Sequence, residues 1–246
     1  MRGRVIDIAL AALLAILLLP VLAVLLAILW AVQGRPLFHM AERMRTPTHA
    51  FPLIKLRTMH VSATDHGVSG GDKHARITPI GRWLRRYRLD EIPQLWNILR
   101  GDMGFVGPRP PLRDYVDRFP ALYGRVLRTR PGLTGLATLV FHRHEGRLLA
   151  ACMTAEETDA VYCRVCIPRK ARLDLIHARH RSPGFDLWIL WRTVQAVLGR
   201  KRIRPARVPA PKHGGAGTEP RRSAMAPARC DPPTTPVADR APHPPA

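Results

Sequence analysis

The sequence predicts a mainly α protein with minor β structure, built as a membrane-inserted, re-entrant N-terminal helix attached to a compact cytosol-facing α/β domain with interfacial amphipathic helices. Three observations carry this. Residues 8–32 form an uncharged run of 25 in which only Pro20 is not plainly apolar. Short helical patterns separated by Gly/Pro loops follow it up to about residue 182. The last helical pattern, 185–198, is amphipathic and carries two tryptophans, the composition of a helix at the headgroup boundary.

The apolar run comes first. At about 1.5 Å per residue it is long enough to cross a ~30 Å hydrocarbon core. Pro20 divides it into two halves of twelve residues, and neither half spans alone. Arg2 and Arg4 precede the run, and Arg35, Arg43 and Arg45 follow it. The preference of cationic flanks for the cytoplasm pulls both ends to the same face, which a helix kinked at Pro20 satisfies and a straight one does not; a fully spanning helix is the alternative, since proline is tolerated in spanning helices. A cleaved signal has a shorter apolar region and a small-x-small site, which Leu29-Trp30-Ala31 lacks. A buried core helix is rarely apolar around its whole circumference. Residues 1–34 therefore read as anchor, 35–200 as the folded domain and 201–246 as a tail.

Beyond the anchor, 35–52 is basic and punctuated by proline, and 51–59 has the β-prone character of a strand. Residues 61–73, rich in Gly, Ser, Asp and His, read as a mobile surface loop. Residues 80–87 read as a helix with Arg82, Arg85 and Arg86 on its exposed side, and 89–99 as a second helix ended by Gly101. Residues 104–111 form a turn-rich loop, 112–128 a helix, and 130–135 another Gly/Pro loop. Residues 156–177 are helical with a break near Pro168. In 185–198, Leu187, Leu190, Trp191, Val194, Val197 and Leu198 share one face at helical spacing.

Formal charge is +21. The tail from Lys201 holds eleven prolines, nine Lys or Arg, three acids and no Phe, Tyr or Trp. Such a segment buries too little apolar surface to offset its ordering entropy and reads as disordered. Residues 1–200 keep +15, from 30 basic and 15 acidic side chains. A basic face beside a membrane attracts anionic headgroups, phosphorylated substrates or nucleic acid. No nucleic-acid-binding motif is present, so no nucleic-acid partner is expected. Cys163-x-x-Cys166 has no second CxxC partner, and the remaining cysteine and histidine spacings match no zinc module.

Four clusters carry candidate chemistry. In Leu89-Asp90-Glu91-Ile92-Pro93-Gln94-Leu95-Trp96-Asn97, Pro93 belongs to the first turn of a helix, which puts Asp90 and Glu91 at its N-terminus, where negative charge and phosphate are favoured. Two adjacent carboxylates can divide labour, one holding a hard cation while the other attacks a phosphorus that the cation polarises. Arginines just upstream, including Arg86, suit a diphosphate. Val106-Gly107-Pro108-Arg109-Pro110 presents Arg109 from a stiff loop. Arg130-Pro131-Gly132-Leu133-Thr134-Gly135 permits close backbone approach. Strand alternation in Lys55-Leu56-Arg57-Thr58-Met59 puts Lys55 and Arg57 on one face.

In this order, together with Gly101-Asp102-Met103, these strings resemble the bacterial sugar transferases, the monotopic polyprenyl-phosphate phosphoglycosyl transferases that begin glycan assembly on a lipid carrier. The resemblance runs from the anchor to about Gly199. It implies a re-entrant anchor, a site facing the cytoplasm at the bacterial inner membrane, and a two-step transfer of sugar 1-phosphate from a nucleotide diphosphate-sugar to a polyprenyl phosphate. It further implies Asp90 as nucleophile, magnesium held by Glu91 with Asp90, Arg109 on a phosphate or the nucleotide, and Lys55, Arg57 and Arg86 as further contacts to anionic substrate. Two segments depart from the family pattern. His39-Met40-Ala41 stands before Glu42-Arg43 in place of Phe-Arg-Gln, and Leu136-Ala137-Thr138 replaces Trp-Ala-Gln. The competing expectation is a non-enzymatic, membrane-anchored basic protein that binds anionic lipid or nucleic acid.

Overall fold

The computed structural model describes residues 2–61, 68 and 71–199. Most of the 61–73 loop and the whole tail from Lys201 lie outside these residues. The described chain is mainly helical with minor strands, and one N-terminal helix is long and apolar enough to span a membrane. That helix, α1 (Arg2–Gln33), continues through Pro20.

One side of α1 is packed and the rest is bare. Ala11, Leu25 and Leu29 are buried, whereas Ile6, Leu13, Ile16, Leu17, Val24 and Trp30 are exposed. Both ends are tied to the domain. The Arg4 guanidinium donates to the carbonyls of Ile98 (2.6 Å) and Leu99 (2.8 Å). At the other end, Arg57 donates to the carbonyls of Gln33 (2.6 Å) and Gly34 (2.9 Å).

A hairpin follows, β1 (Phe38–Met44) antiparallel to β2 (Ala50–Leu56), in the register Phe38↔Leu56 to Met44↔Ala50. The strand expected over 51–59 is β2, shorter at its C-terminal end. The sequence pattern did not mark β1, because His39-Met40-Ala41-Glu42-Arg43 has little β propensity; pairing with β2 makes it a strand. After a 3₁₀ turn (Gly71–Arg76) comes α2 (Pro79–Tyr87), capped by the Thr78 hydroxyl, which accepts from Gly81 N–H at 3.0 Å.

The helix expected over 89–99 is split into a 3₁₀ turn (Leu89–Glu91) and α3 (Gln94–Arg100). Pro93 is the N-cap of α3, so the two acids lie in the turn before the helix rather than in its first turn. Gly101 closes α3 at φ 93°, a left-handed conformation that suits glycine. The two Gly/Pro loops contain β3 (Gly104–Val106) and β4 (Gly132–Thr134), paired in parallel.

Pro120 breaks the helix expected over 112–128 into α4 (Arg113–Arg118) and α5 (Pro120–Val126). Then come α6 (Leu136–Ala150), α7 (Ala155–Val161), a π turn (Tyr162–Cys166), α8 (Ile167–Arg179) and α9 (Pro183–Leu198). The π turn absorbs the break before Pro168, which opens α8.

Three apolar clusters hold these parts. One joins Met44, Tyr115, Tyr123, Phe141, Tyr162, Cys163, Cys166 and Ile167 from β1 and α4 to α8. A second packs Ala11 of α1 and Ile189 of α9 against Phe51, Leu95, Ile98, Met103 and Phe105. The third joins Leu25 and Leu29 to Leu56 and Leu84. Each fully buried Leu contributes roughly 1.5–3 kcal/mol, so the packed stripe of α1 is part of the domain's core. On α9, Ile189 is buried while Leu187, Trp191, Val194 and Leu198 are exposed. The face read as apolar from spacing is therefore mostly the outward one.

Candidate active site

The site is assembled by three short devices. The first is the turn that carries the acids. Arg88 adopts a left-handed conformation (φ 54°) between α2 and the 3₁₀ turn, which turns Asp90 inward, where it is 8 % exposed.

The second is a lock on α3. Asn97 accepts from Ile54 N–H at 3.1 Å and donates to Pro52 O at 2.8 Å and to the Asp102 carboxylate at 3.1 Å. These bonds fix the helix behind the acids to β2. Asn97 and Asp102, both in the strings that carried the resemblance, thus act through positioning.

The third is the join between the two Gly/Pro loops. Gly107 N–H donates to Thr134 O (2.9 Å), and Gly132 N–H to Pro108 O (2.9 Å). A Cβ on Gly107 would collide with the Arg130 carbonyl, and one on Gly135 with that of Gly107. Only glycine lets these backbones meet, and their contact sets the position of Arg109.

These devices border a cavity of about 780 Å³ whose lining includes Lys55, Arg57, Asp90, Glu91 and Arg109. Arg43, Arg85, Arg88, His142, Glu145, Lys170 and Asp174 also line it. Glu91 is clamped by two guanidiniums, Arg109 Nη2 at 2.8 Å and Arg88 Nη1 at 3.2 Å. Burial alone would push the Glu91 carboxyl up, but Arg109 and Arg88 outweigh it and hold the group below its ordinary value. Asp90 moves the other way. Burial, then the charge of Glu91, raise it against the opposing pull of Lys55, Arg85 and Arg109. Neighbouring carboxylates are thereby set apart.

Lys55 is brought down to about 8 by burial and by Arg43, Arg85 and Arg109, with Asp90 opposing. Also in the lining, Lys170 donates to Glu145 (2.8 Å) and to the Tyr162 hydroxyl (3.2 Å). Asp174 is raised to about 7 by burial.

Of the six residues named from the sequence, five line this cavity. Arg57 also spends its guanidinium on the end of α1. The sixth, Arg86, is exposed on α2 with its guanidinium 5.7 Å from the Tyr87 ring centre, outside the lining. Arg85 corrects the expected exposed face of α2. It is half-buried, its Nε donates to the Thr58 hydroxyl at 2.8 Å, and it lines the cavity.

Arg43, Arg85 and Arg88 were not singled out as site residues. For Arg43 the pairing of β1 with β2 supplies what the sequence pattern lacked, placing it on the same strand face as His39, which pairs with Lys55. Among the described residues no group of three or more His, Cys, Asp or Glu side chains is arranged to hold a metal ion.

The chain is 42% identical over 142 residues to a UDP-glucose:undecaprenyl-phosphate glucose-1-phosphate transferase of Caulobacter vibrioides, covering 56% of this chain and 53% of the relative. It is 30% identical over 196 residues to a UDP-N-acetylgalactosamine-undecaprenyl-phosphate N-acetylgalactosaminephosphotransferase of Aeromonas hydrophila, covering 77% of this chain and 42% of that protein. With an uncharacterized sugar transferase, EpsL, of Bacillus subtilis it shares 33% identity over 188 residues, 75% of this chain and 81% of the relative. The chain thus spans about half the length, or less, of the first two. The family model for bacterial sugar transferases matches residues 1–200, and the chain belongs to that family.

Proposed function

We propose that the protein transfers sugar 1-phosphate from a UDP-sugar to a polyprenyl phosphate, undecaprenyl phosphate, through a covalent phospho-sugar on Asp90, and so initiates glycan assembly on the lipid. The observation that carries this is the state of Asp90. Its carboxylate is buried at the cavity wall and takes part in no hydrogen bond or ion pair among the described residues, while its neighbour Glu91 is held by two arginines. The names of the Caulobacter and Aeromonas relatives support the substrate class.

In this reading Asp90 attacks the sugar-linked phosphorus, and the nucleoside monophosphate leaves with the bridging oxygen. The polyprenyl phosphate then attacks the same phosphorus and frees the Asp90 carboxylate. Lys55, Arg85 and Arg109 surround the phosphates with positive charge and stabilise what develops on their oxygens. Glu91 and Asp90 would hold magnesium, a cation that takes one or two carboxylates and completes its shell with phosphate oxygens and water; the Asp90 carboxylate is open to it, and Glu91 would share its oxygens with Arg109 and Arg88. When bound, the cation polarises phosphoryl oxygens.

Residues 1–34 serve as a re-entrant anchor in the bacterial inner membrane, with the domain of residues 35–200 on the cytoplasmic side. What supports this is that Arg4 and Gln33, at opposite ends of α1, both bond to that one domain, whereas a helix of ~48 Å crossing the bilayer would carry its ends to opposite faces. The bare apolar faces of α1 and α9 would meet lipid.

The test is a panel of UDP-sugars given to the detergent-purified protein with undecaprenyl phosphate, read as UMP release. At least one donor should release UMP, and Asp90→Asn should abolish it. Salt-sensitive lipid binding that is unaffected at Asp90, with no UMP from any donor, would favour a non-enzymatic basic protein.

A further inference from the structure

Arg43 is a cavity cation that the reaction as drawn leaves unused. It lies on β1 opposite Phe51, on the strand face shared with His39 and its partner Lys55, and it lines the cavity. Its Nε is buried without a hydrogen-bond partner, and no ion pair among the described residues reaches its guanidinium. Burial and the neighbouring charge of Arg109 bring it down to about 10, with only the Tyr162 and Tyr115 phenols opposing, so it stays cationic at neutral pH. A desolvated cation that faces another cation without an acid is costly unless an anion compensates it. The other guanidiniums at this wall are engaged: Arg109 and Arg88 by Glu91, and Arg85 by Thr58.

The strand neighbour Met44 and both phenols belong to the apolar cluster built from α4 to α8, which contains no residue of α1 or α9. Those two helices pack into the other clusters. On its phenol side Arg43 thus faces the cluster of α4 to α8, while its strand partner Phe51 packs in the cluster shared with α1 and α9.

We propose that Arg43 is an anion clamp for the soluble substrate, binding the phosphate that departs with the nucleoside. This rests on the reaction proposed above. In its first step an Oδ of Asp90 bonds to the sugar-linked phosphorus. The bond from that phosphorus to the bridging oxygen breaks, and the electron pair stays on that oxygen. The nucleoside monophosphate thereby gains one negative charge, with no proton transferred, and Arg43 faces that charge.

The experiment uses the full-length protein in lipid nanodiscs, as wild type, Arg43→Gln and Arg43→Lys. UMP affinity is measured by calorimetry without turnover, undecaprenyl phosphate by its KM, and folding by thermal melting. Removing a charge-assisted phosphate contact should weaken UMP about 10-fold or more in the Gln variant, with the Lys variant in between. The KM for undecaprenyl phosphate should stay within about twofold, and the Gln variant should melt no lower than wild type, because an uncompensated charge has been removed. Unchanged UMP affinity, an equal loss for the lipid phosphate, or a lowered melting temperature would each overturn the proposal. If no UDP-sugar yields UMP from wild type, the reaction fails, while the UMP titration still reports on Arg43.

Discussion

Replacing Asn97 by alanine should damage the fold rather than the chemistry, although Asn97 lies in the same string as Asp90. The side chain is fully buried and serves three partners: Ile54 N–H, Pro52 C=O and the Asp102 carboxylate. Alanine leaves the Ile54 donor and the Pro52 acceptor without partners in a site too tight for easy hydration. Each orphaned group costs about 1–3 kcal/mol, and among the described residues the Asp102 carboxylate keeps its 3.8 Å approach to Arg100. The sum is roughly 3–5 kcal/mol, and at about 2–4 °C per kcal/mol for a domain of this size the melting temperature should fall by roughly 10 °C. Differential scanning calorimetry in nanodiscs measures this, and UMP release per folded molecule at low temperature should remain within several-fold of wild type. A melting temperature within about 2 °C of wild type would refute the lock between α3 and β2. Full loss of turnover in folded protein would instead place Asn97 in the chemistry.

Three further outcomes follow from the same geometry. Lys55 has a lowered value of about 8 against an ordinary 10.5, so between those pH values the unfolded chain binds more protons and stability rises with pH. Over the same range donor affinity should fall as the ammonium is lost; Lys55→Arg should remove this inflection in the pH profile of donor KM, and a flat wild-type profile would contradict the assignment. Gly107→Ala drives a Cβ into the Arg130 carbonyl and should shift Arg109, lowering kcat/KM at least about tenfold, the order of loss for a displaced charge-stabilising group; unaltered kinetics would sink that account of the loop join. A cysteine introduced at residue 2 should be labelled by impermeant reagent only from the cytoplasmic side, and periplasmic labelling would mean a spanning helix.

Much of the site was legible because its strings are local. Asp90, Glu91 and Arg109 lie in segments whose prolines and glycines fix the backbone whatever surrounds them. The extents read for α2 (80–87) and α9 (185–198) fall within two residues of those observed. What the sequence hid was tertiary. β1 exists because β2 pairs with it, and without that pairing Arg43 had no face to be assigned to. Arg85 and Arg86 are adjacent arginines on one short helix, and only the packing of Gly81 against Thr58 decides which turns inward. The apolar stripe of α9 could not reveal its direction, because on a helix beside a membrane both the core and the lipid accept apolar side chains.

The central claim is that Asp90 becomes covalently phosphorylated by the sugar phosphate. Intact-protein and peptide mass spectrometry, after incubation with an accepted UDP-sugar and no polyprenyl phosphate, tests it directly. A phospho-sugar adduct confined to the peptide containing Asp90, discharged on addition of undecaprenyl phosphate and missing from Asp90→Asn, is the predicted result. An Asp90→Asn protein that still transfers, or an adduct on a different residue, would contradict it.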